Sequence, residues 1–279
     1  MIESETLWPV MARGLPGPRQ YLKGFTMSSR FSLAGKHALI TGGTRGIGLA
    51  IAQGFLEAGA QVTVCGRKQE GVDGALETLS AHGEKLLGVA AHVGKREDLD
   101  QLLASATDRF GTVNVLVNNA GTNPYAGSII ESEDWAWDKT MDVNLRAPYV
   151  LSREVARAMV AAGGGSIINM ASVAGLTASP LQAIYSVSKA GLIMLTKVMA
   201  SELGRQGVRV NCICPGLIKT QLSEALWSNP ELEKAVTDQK ALGRIGTVDE
   251  LAGAAIYLAS DASSFTTGAV LQVDGGMVI

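Results

Sequence analysis

Tyr185-Ser186-Val187-Ser188-Lys189 places a phenol and an ammonium four residues apart. On a helix that spacing stacks both side chains on one face, a single turn apart. An ammonium beside a phenol favours the phenolate, so the tyrosine pKa is expected to fall below its reference of about 10. A tyrosine tuned that way gives or takes a proton near neutral pH. The pair alone is common by chance, and its weight comes from what precedes it.

Thr41-Gly42-Gly43-Thr44-Arg45-Gly46-Ile47-Gly48 follows an apolar run and opens a helical pattern. Gly42 suits a tight turn, Gly46 a close approach of backbone to pyrophosphate, and Gly48 close packing of helix on strand. The helix N-terminus offers free N–H groups and partial positive charge to phosphates. A dinucleotide site is expected here. After the second apolar run comes Val64-Cys65-Gly66-Arg67-Lys68, with no carboxylate to bind a ribose 2′-hydroxyl. Arg67 is placed to pair with a 2′-phosphate, and Arg45 could close on it from the loop. The expected cofactor is NADP(H).

The elements that must position these groups alternate. Strand-length apolar runs are expected at His37–Thr41, 61–65, 86–91, 113–118, 166–171, 208–214 and 269–273. Helical patterns occupy 47–58, 97–110, 132–161, 185–203 and 247–259, with Pro148 disturbing the third. Thr247 and Glu250 have capping-box spacing. Near-continuous apolar strands need cover on both faces. The β-α alternation therefore predicts an α/β, single-domain Rossmann fold: a doubly wound parallel sheet with helices on both faces. Ligands belong at the carboxyl ends of its strands.

The chain has 279 residues, 47% hydrophobic and 18% charged, with net charge −2. That is enough for one sizeable core, and near-neutral charge supports neither nucleic acid nor an anionic membrane as partner. No apolar run is expected to reach membrane-spanning length. Residues 1–32 read as a poorly ordered extension, without the basic start or apolar stretch of a signal peptide. The C-terminus is not a peroxisomal tripeptide, and the cytoplasm is the expected location. Cys65, Cys212 and Cys214 form no paired spacing, and His37, His82 and His92 are scattered, so structural thiols and no metal site are expected.

The Gly loop, Asn118-Asn119-Ala120-Gly121, Asn144, Ser172 and the Tyr/Lys pair together resemble the short-chain dehydrogenase/reductase family, over roughly residues 33–279. The resemblance implies a seven-stranded sheet and a homotetramer or homodimer. It implies Ser172, Tyr185 and Lys189 as catalytic, with Asn144 holding a proton-relay water. It assigns cofactor contacts to Gly42, Thr44, Arg45, Gly46, Ile47, Gly48, Arg67, His92, Val93, Asn119, Ala120, Gly121, Tyr185, Lys189, Pro215, Gly216, Ile218 and Thr220. One departure is His92, where the family usually carries an Asp that contacts the adenine amine.

The implied chemistry is hydride transfer from NADPH to a ketone or aldehyde, or the reverse from a secondary alcohol. Tyr185 is the acid, Ser172 orients the oxygen, and Lys189 tunes the tyrosine and holds ribose. Residues 216–246 read as a substrate lid with short helices at 221–228 and 231–241. Asn123, Tyr125, Ala174, Gln182, Leu217, Leu222 and Trp227 are expected in the substrate pocket. Most are apolar, which suits a hydrophobic small-molecule carbonyl or alcohol. The chain also resembles 3-oxoacyl carrier-protein reductases, but Val150 and Gln206 stand where carrier docking would want basic residues. An alcohol dehydrogenase working oxidatively is the rival enzyme, and a catalytically idle NADP(H)-binding protein the rival of another class.

Overall fold

The computed structural model describes residues 30–278, so positions 1–29 of the expected extension lie outside the described residues. The strands are β1 His37–Thr41, β2 Gln61–Gly66, β3 Leu86–Ala90, β4 Val115–Asn118, β5 Gly165–Met170, β6 Val208–Pro215 and β7 Val270–Val273. All pair in parallel, in the order β3-β2-β1-β4-β5-β6-β7. The helices are α1 Gly46–Glu57, α2 Gln69–Thr78, α3 Arg96–Phe110, α4 Asp134–Met141, α5 Ala147–Ala161, α6 Ala183–Leu203, α7 Glu224–Trp227, α8 Pro230–Thr237 and α9 Asp249–Ala259.

Alternate residues of a strand serve opposite faces. Ala38 and Ile40 of β1 pack with Ile51 and Phe55 of α1 and Leu251 and Leu258 of α9. Leu39 belongs to the other face, with Leu99 and Leu102 of α3 and Leu151, Val155 and Met159 of α5. Phe55 is fully buried, which stabilises the fold by about 2 kcal/mol. The chain runs outward through β2 and β3, then returns to start β4 on the other side of β1. The connections after β1 and β4 therefore diverge and leave a crevice at the carboxyl ends of those strands.

Four expectations need correction. Helix α2 was not expected. Its sequence is polar and interrupted by Gly71 and Gly74, and only Val72 and Ala75 are buried. The helical stretch 132–161 is two helices joined through a π-helical turn, Asp142–Arg146. Pro148 has no N–H to return to the Asn144 carbonyl four residues back, and the chain widens there. The capping box is half made. Glu250 accepts the Thr247 N–H at 2.8 Å, but the Thr247 hydroxyl also turns to Glu250, and the helix starts later, at Asp249. Finally, Ala183–Gln206 is long and apolar enough, by length and composition, to cross a membrane. Its length comes from a helix that buries Ile184, Leu192, Ile193, Met199 and Ala200 in this fold.

Candidate active site

Close approach between backbones builds the floor of the crevice. Gly42 and Gly46 adopt φ of +63° and +54°, which favour glycine. A Cβ on Gly48 would stand 2.3 Å from the Gly42 carbonyl and 2.4 Å from Asn119 Nδ2. Asn119 uses that nitrogen to hold the Thr41 and Gly42 carbonyls, both at 3.0 Å. The Thr41 hydroxyl accepts the N–H groups of Asn119 and Ala120 at 3.0 and 3.1 Å. The loops after β1 and β4 are thus one hydrogen-bonded unit. Below it, Asn118 donates to Ser152 and Asn169, both at 2.8 Å.

Above this floor lies a cavity of about 700 Å³, within the usual range for ligand sites. No side chain caps the N-terminus of α1, and no acidic residue occupies its first turn. Gly46 and Ile47 at that terminus line the cavity. Arg45, Arg67, Lys68, Lys139 and Lys189 also line it, against one carboxylate, Glu70. Free helix N–H groups and an excess of cations suit a polyphosphate.

Ser172 follows β5, and its Oγ accepts the Ala174 N–H at 3.1 Å. Helix α6 brings Tyr185 and Lys189 to the same wall. Burial raises the Tyr185 pKa above its ordinary value, and a hydrogen bond with Ser172 opposes that rise. The expected downward shift from Lys189 is therefore corrected. The ammonium stands 5.6 Å from the tyrosine ring centre and donates to the Met170 carbonyl at 2.7 Å. Lys189 is itself nearly inaccessible, and burial pulls its pKa down to about 8.

Asn144 is fully buried and does not line the cavity. Its amide clasps Thr122, accepting the N–H at 2.8 Å and donating to the carbonyl at 2.9 Å, and donates to Ser188 Oγ at 3.0 Å. It ties the loop after β4 to the helix that carries Tyr185. A Cβ on Gly121 would lie 3.6 Å from both Asn144 Oδ1 and Lys189 Nζ, so these groups converge on one point.

The segment 216–246 is closed at its base. Gly246 donates to Leu217 at 3.1 Å and Lys219 to Gly246 at 2.9 Å. The buried Lys240 ammonium donates to the Leu217 carbonyl at 3.0 Å. Helices α7 and α8 bury none of their residues. Arg45 of the Gly loop bonds Gln221 at the segment's entrance.

Nearly all the expected cofactor residues meet on the cavity wall: Gly42, Thr44, Arg45, Gly46, Ile47, Arg67, His92, Val93, Asn119, Ala120, Gly121, Tyr185, Lys189, Pro215, Gly216, Ile218 and Thr220. Gly48 lies behind the loop. Of the expected substrate residues, Leu217 and Leu222 reach the wall, whereas Asn123, Tyr125, Ala174, Gln182 and Trp227 do not. Tyr125 spends its hydroxyl on Ser128 at 2.8 Å. Ala174 is buried in the turn after β5. Gln182 pairs with Gly127 as an isolated bridge. Trp227 turns back to donate to Thr220 at 2.9 Å, under Lys219. Glu70, Thr122, Lys139, Gln221 and Ser223 line the cavity and were missed. Thr122 and Gln221 directly follow assigned residues. Lys139 sits on α4, and nothing in its spacing marks it.

A doubly wound sheet with a cation-lined cavity at its switch point defines a dinucleotide-binding α/β protein. The chain belongs to the short-chain dehydrogenase/reductase family, whose members are oxidoreductases. A family model described as enoyl-(acyl carrier protein) reductase matches residues 42–278. Human dehydrogenase/reductase SDR family member 4 is 42% identical over 250 residues, 90% of each chain. Its Caenorhabditis elegans counterpart is 42% identical over 247 residues, 87% of this chain and 95% of that one. A gluconate 5-dehydrogenase from Burkholderia cenocepacia, solved with NADP and tartrate, superposes with a TM-score of 0.86 at 36% identity, covering 90% of this chain and 98% of that one.

Proposed function

We propose that this chain reduces a ketone or aldehyde with NADPH, using Tyr185 as the proton donor. NADP(H) is the cofactor, as in the Burkholderia relative solved with it. The uncapped start of α1 fits its pyrophosphate and Arg67 with Arg45 its 2′-phosphate, while Pro215, Gly216, Ile218 and Thr220 line the nicotinamide end. When bound, NADPH supplies the hydride that reaches the carbonyl carbon.

Negative charge then develops on the carbonyl oxygen. Ser172 donates a hydrogen bond to that oxygen and orients it, and Tyr185 delivers its phenolic proton to it. Lys189, whose ammonium stands 5.6 Å from the centre of the phenol ring, would hold the ribose hydroxyls. Asn144 acts through Thr122 and Ser188, fixing the loop and helix between which the proton is replenished. Residues 216–246 serve as the lid, and Leu217 and Leu222 favour an apolar group beside the carbonyl. The observation that carries this reading is the convergence of Ser172, Tyr185 and Lys189 on one wall of the cavity, where burial holds the Tyr185 pKa above its ordinary value. A protonated phenol suits reduction; oxidation of an alcohol would require the phenolate.

The reading is tested by a panel of hydrophobic ketones and aldehydes, a keto acid of the gluconate type and a 3-oxoacyl thioester, following NADPH absorbance, with alcohols and NADP in parallel. Faster turnover of hydrophobic carbonyls is expected. No NADPH oxidation across the panel refutes the reading, and a preference for the thioester transfers the chain to carrier-protein reduction. The same reading carries a homotetramer or homodimer in the cytoplasm. Val187, Met194 and Val198 leave an exposed apolar stripe on α6, and sedimentation measures the assembly.

A further inference from the structure

We infer that Lys240 is a positioning residue for the nicotinamide end of the cavity: its buried ammonium holds the Leu217 carbonyl so that the Ile218 N–H faces the cavity as a donor. Lys240 lies beyond α8, near the far end of the segment 216–246, and Leu217 stands near its start. The Leu217 carbonyl accepts the Lys240 ammonium at 3.0 Å and the Gly246 N–H at 3.1 Å. One carbonyl thus joins both ends of the segment, and both of its lone pairs are used.

The direction of Ile218 follows from its neighbours. Lys219 donates to the Gly246 carbonyl at 2.9 Å, and Ile218 stands opposite Gly246 as an isolated parallel bridge. The Leu217 carbonyl and the Lys219 N–H therefore both face Gly246. Across a trans peptide the carbonyl and the next N–H point in opposite directions, so the Ile218 N–H and C=O face the other way. The Ile218 carbonyl accepts the Ser223 hydroxyl there, and Ile218 and Ser223 both line the cavity. The Ile218 N–H on the same side has no acceptor among the described residues. It is a donor fixed in direction, and the carboxamide oxygen of nicotinamide is an acceptor suited to it.

The fold alone does not call for the charge. Lys240 is buried, and burial lowers its pKa while the Asp274 carboxylate opposes that fall. A buried charge often costs more than an apolar side chain of similar volume. Backbone bonds already tether this end of the segment, since Ala241 donates to the Gly276 carbonyl at 3.2 Å and Leu242 to that of Gly275 at 3.0 Å. What the ammonium adds is a charge-assisted bond, the stronger kind, on the one peptide that carries the Ile218 N–H.

The inference rests on the NADP(H) reading of the cavity, and calorimetric titration with NADP and with 2′-phospho-ADP-ribose, which lacks the nicotinamide, separates the two. Lys240→Met should weaken NADP by about five- to tenfold and the shorter nucleotide by no more than about twofold, the scale of one hydrogen bond. Equal weakening of both overturns the inference, because a merely structural role moves both alike, and so does unchanged NADP affinity. Amide hydrogen exchange of the wild type gives a second reading that needs no variant: NADP should slow the Ile218 amide, and the shorter nucleotide should not. The same Ile218 exchange with either nucleotide bound overturns the inference, even where Lys240→Met fails to fold. Failure of the wild type to bind either nucleotide overturns the cofactor reading, and Lys240's role with it.

Discussion

Gly48→Ala tests how the floor of the site is built. The new methyl carbon would lie 2.3 Å from the Gly42 carbonyl and 2.4 Å from Asn119 Nδ2. Neither neighbour is the free end of a flexible chain, because Asn119 is held by two bonds of 3.0 Å. The loop and α1 must separate, at an overpacking cost of about 1–3 kcal/mol. Losing the two Asn119 bonds adds about 1 kcal/mol each. Better helix propensity of Ala returns about 0.5–1 kcal/mol. The net loss is about 2–4.5 kcal/mol, or about 4–18 °C in Tm for a chain of this size. Gly46→Ala is the comparison. Its Cβ would find only Thr220, at 3.5 Å, so it meets no clash and pays only for its φ of +54°, about 1 kcal/mol. Calorimetry reads both, and NADP titration should show the larger loss of affinity in Gly48→Ala. The packing account is wrong if Gly48→Ala melts within about 2 °C of wild type or above Gly46→Ala.

Tyr185→Phe should abolish turnover while leaving NADPH affinity within about threefold, since only the proton donor is removed; retained turnover refutes the acid assignment. Arg67→Ala should raise KM for NADPH by about tenfold or more with little change for NADH, the loss of a charge-assisted bond, and equal effects refute 2′-phosphate pairing. Burial holds Lys189 near a pKa of about 8 in the fold against 10.5 in the unfolded chain. Between those values the unfolded chain binds more protons, so stability rises with pH, and the cost of Lys189 is fully present below about pH 8. Lys189→Met should therefore gain on wild type by about 3 kcal/mol at the low end, with the gain fading toward pH 10.5 in urea unfolding; a pH-independent difference contradicts this. Thr41→Val leaves the Asn119 and Ala120 N–H groups without their acceptor and should cost about 2–4 kcal/mol in urea unfolding, while a neutral substitution would show that water or a shifted loop replaces the hydroxyl.

The β-strands were legible because each is a dense apolar run that nothing but a sheet covered on both sides can hide, and the Gly loop because its three glycines answer three separate steric demands. Helix α2 was not legible, since two buried residues among polar ones and glycines leave no periodic signal. Leu217 lines the cavity two residues past the end of β6, and Leu222 lines it from the short helical turn Gln221–Ser223. Trp227, Tyr125 and Gln182 lie off the cavity wall, each in a local hydrogen bond or bridge that composition does not reveal.

The sequence by itself determined the layered parallel sheet, the glycine-lined phosphate turn and the identity of the groups able to move a proton, because these depend on residue type and short-range spacing. Tertiary structure alone decided their electrostatics and reach. Spacing placed Lys189 beside Tyr185, but the fold turns its ammonium to the Met170 carbonyl and leaves burial to set the phenol's pKa. Asn144 became the clasp between Thr122 and Ser188, because hydrogen-bond partners far apart in sequence exist only once the chain has folded.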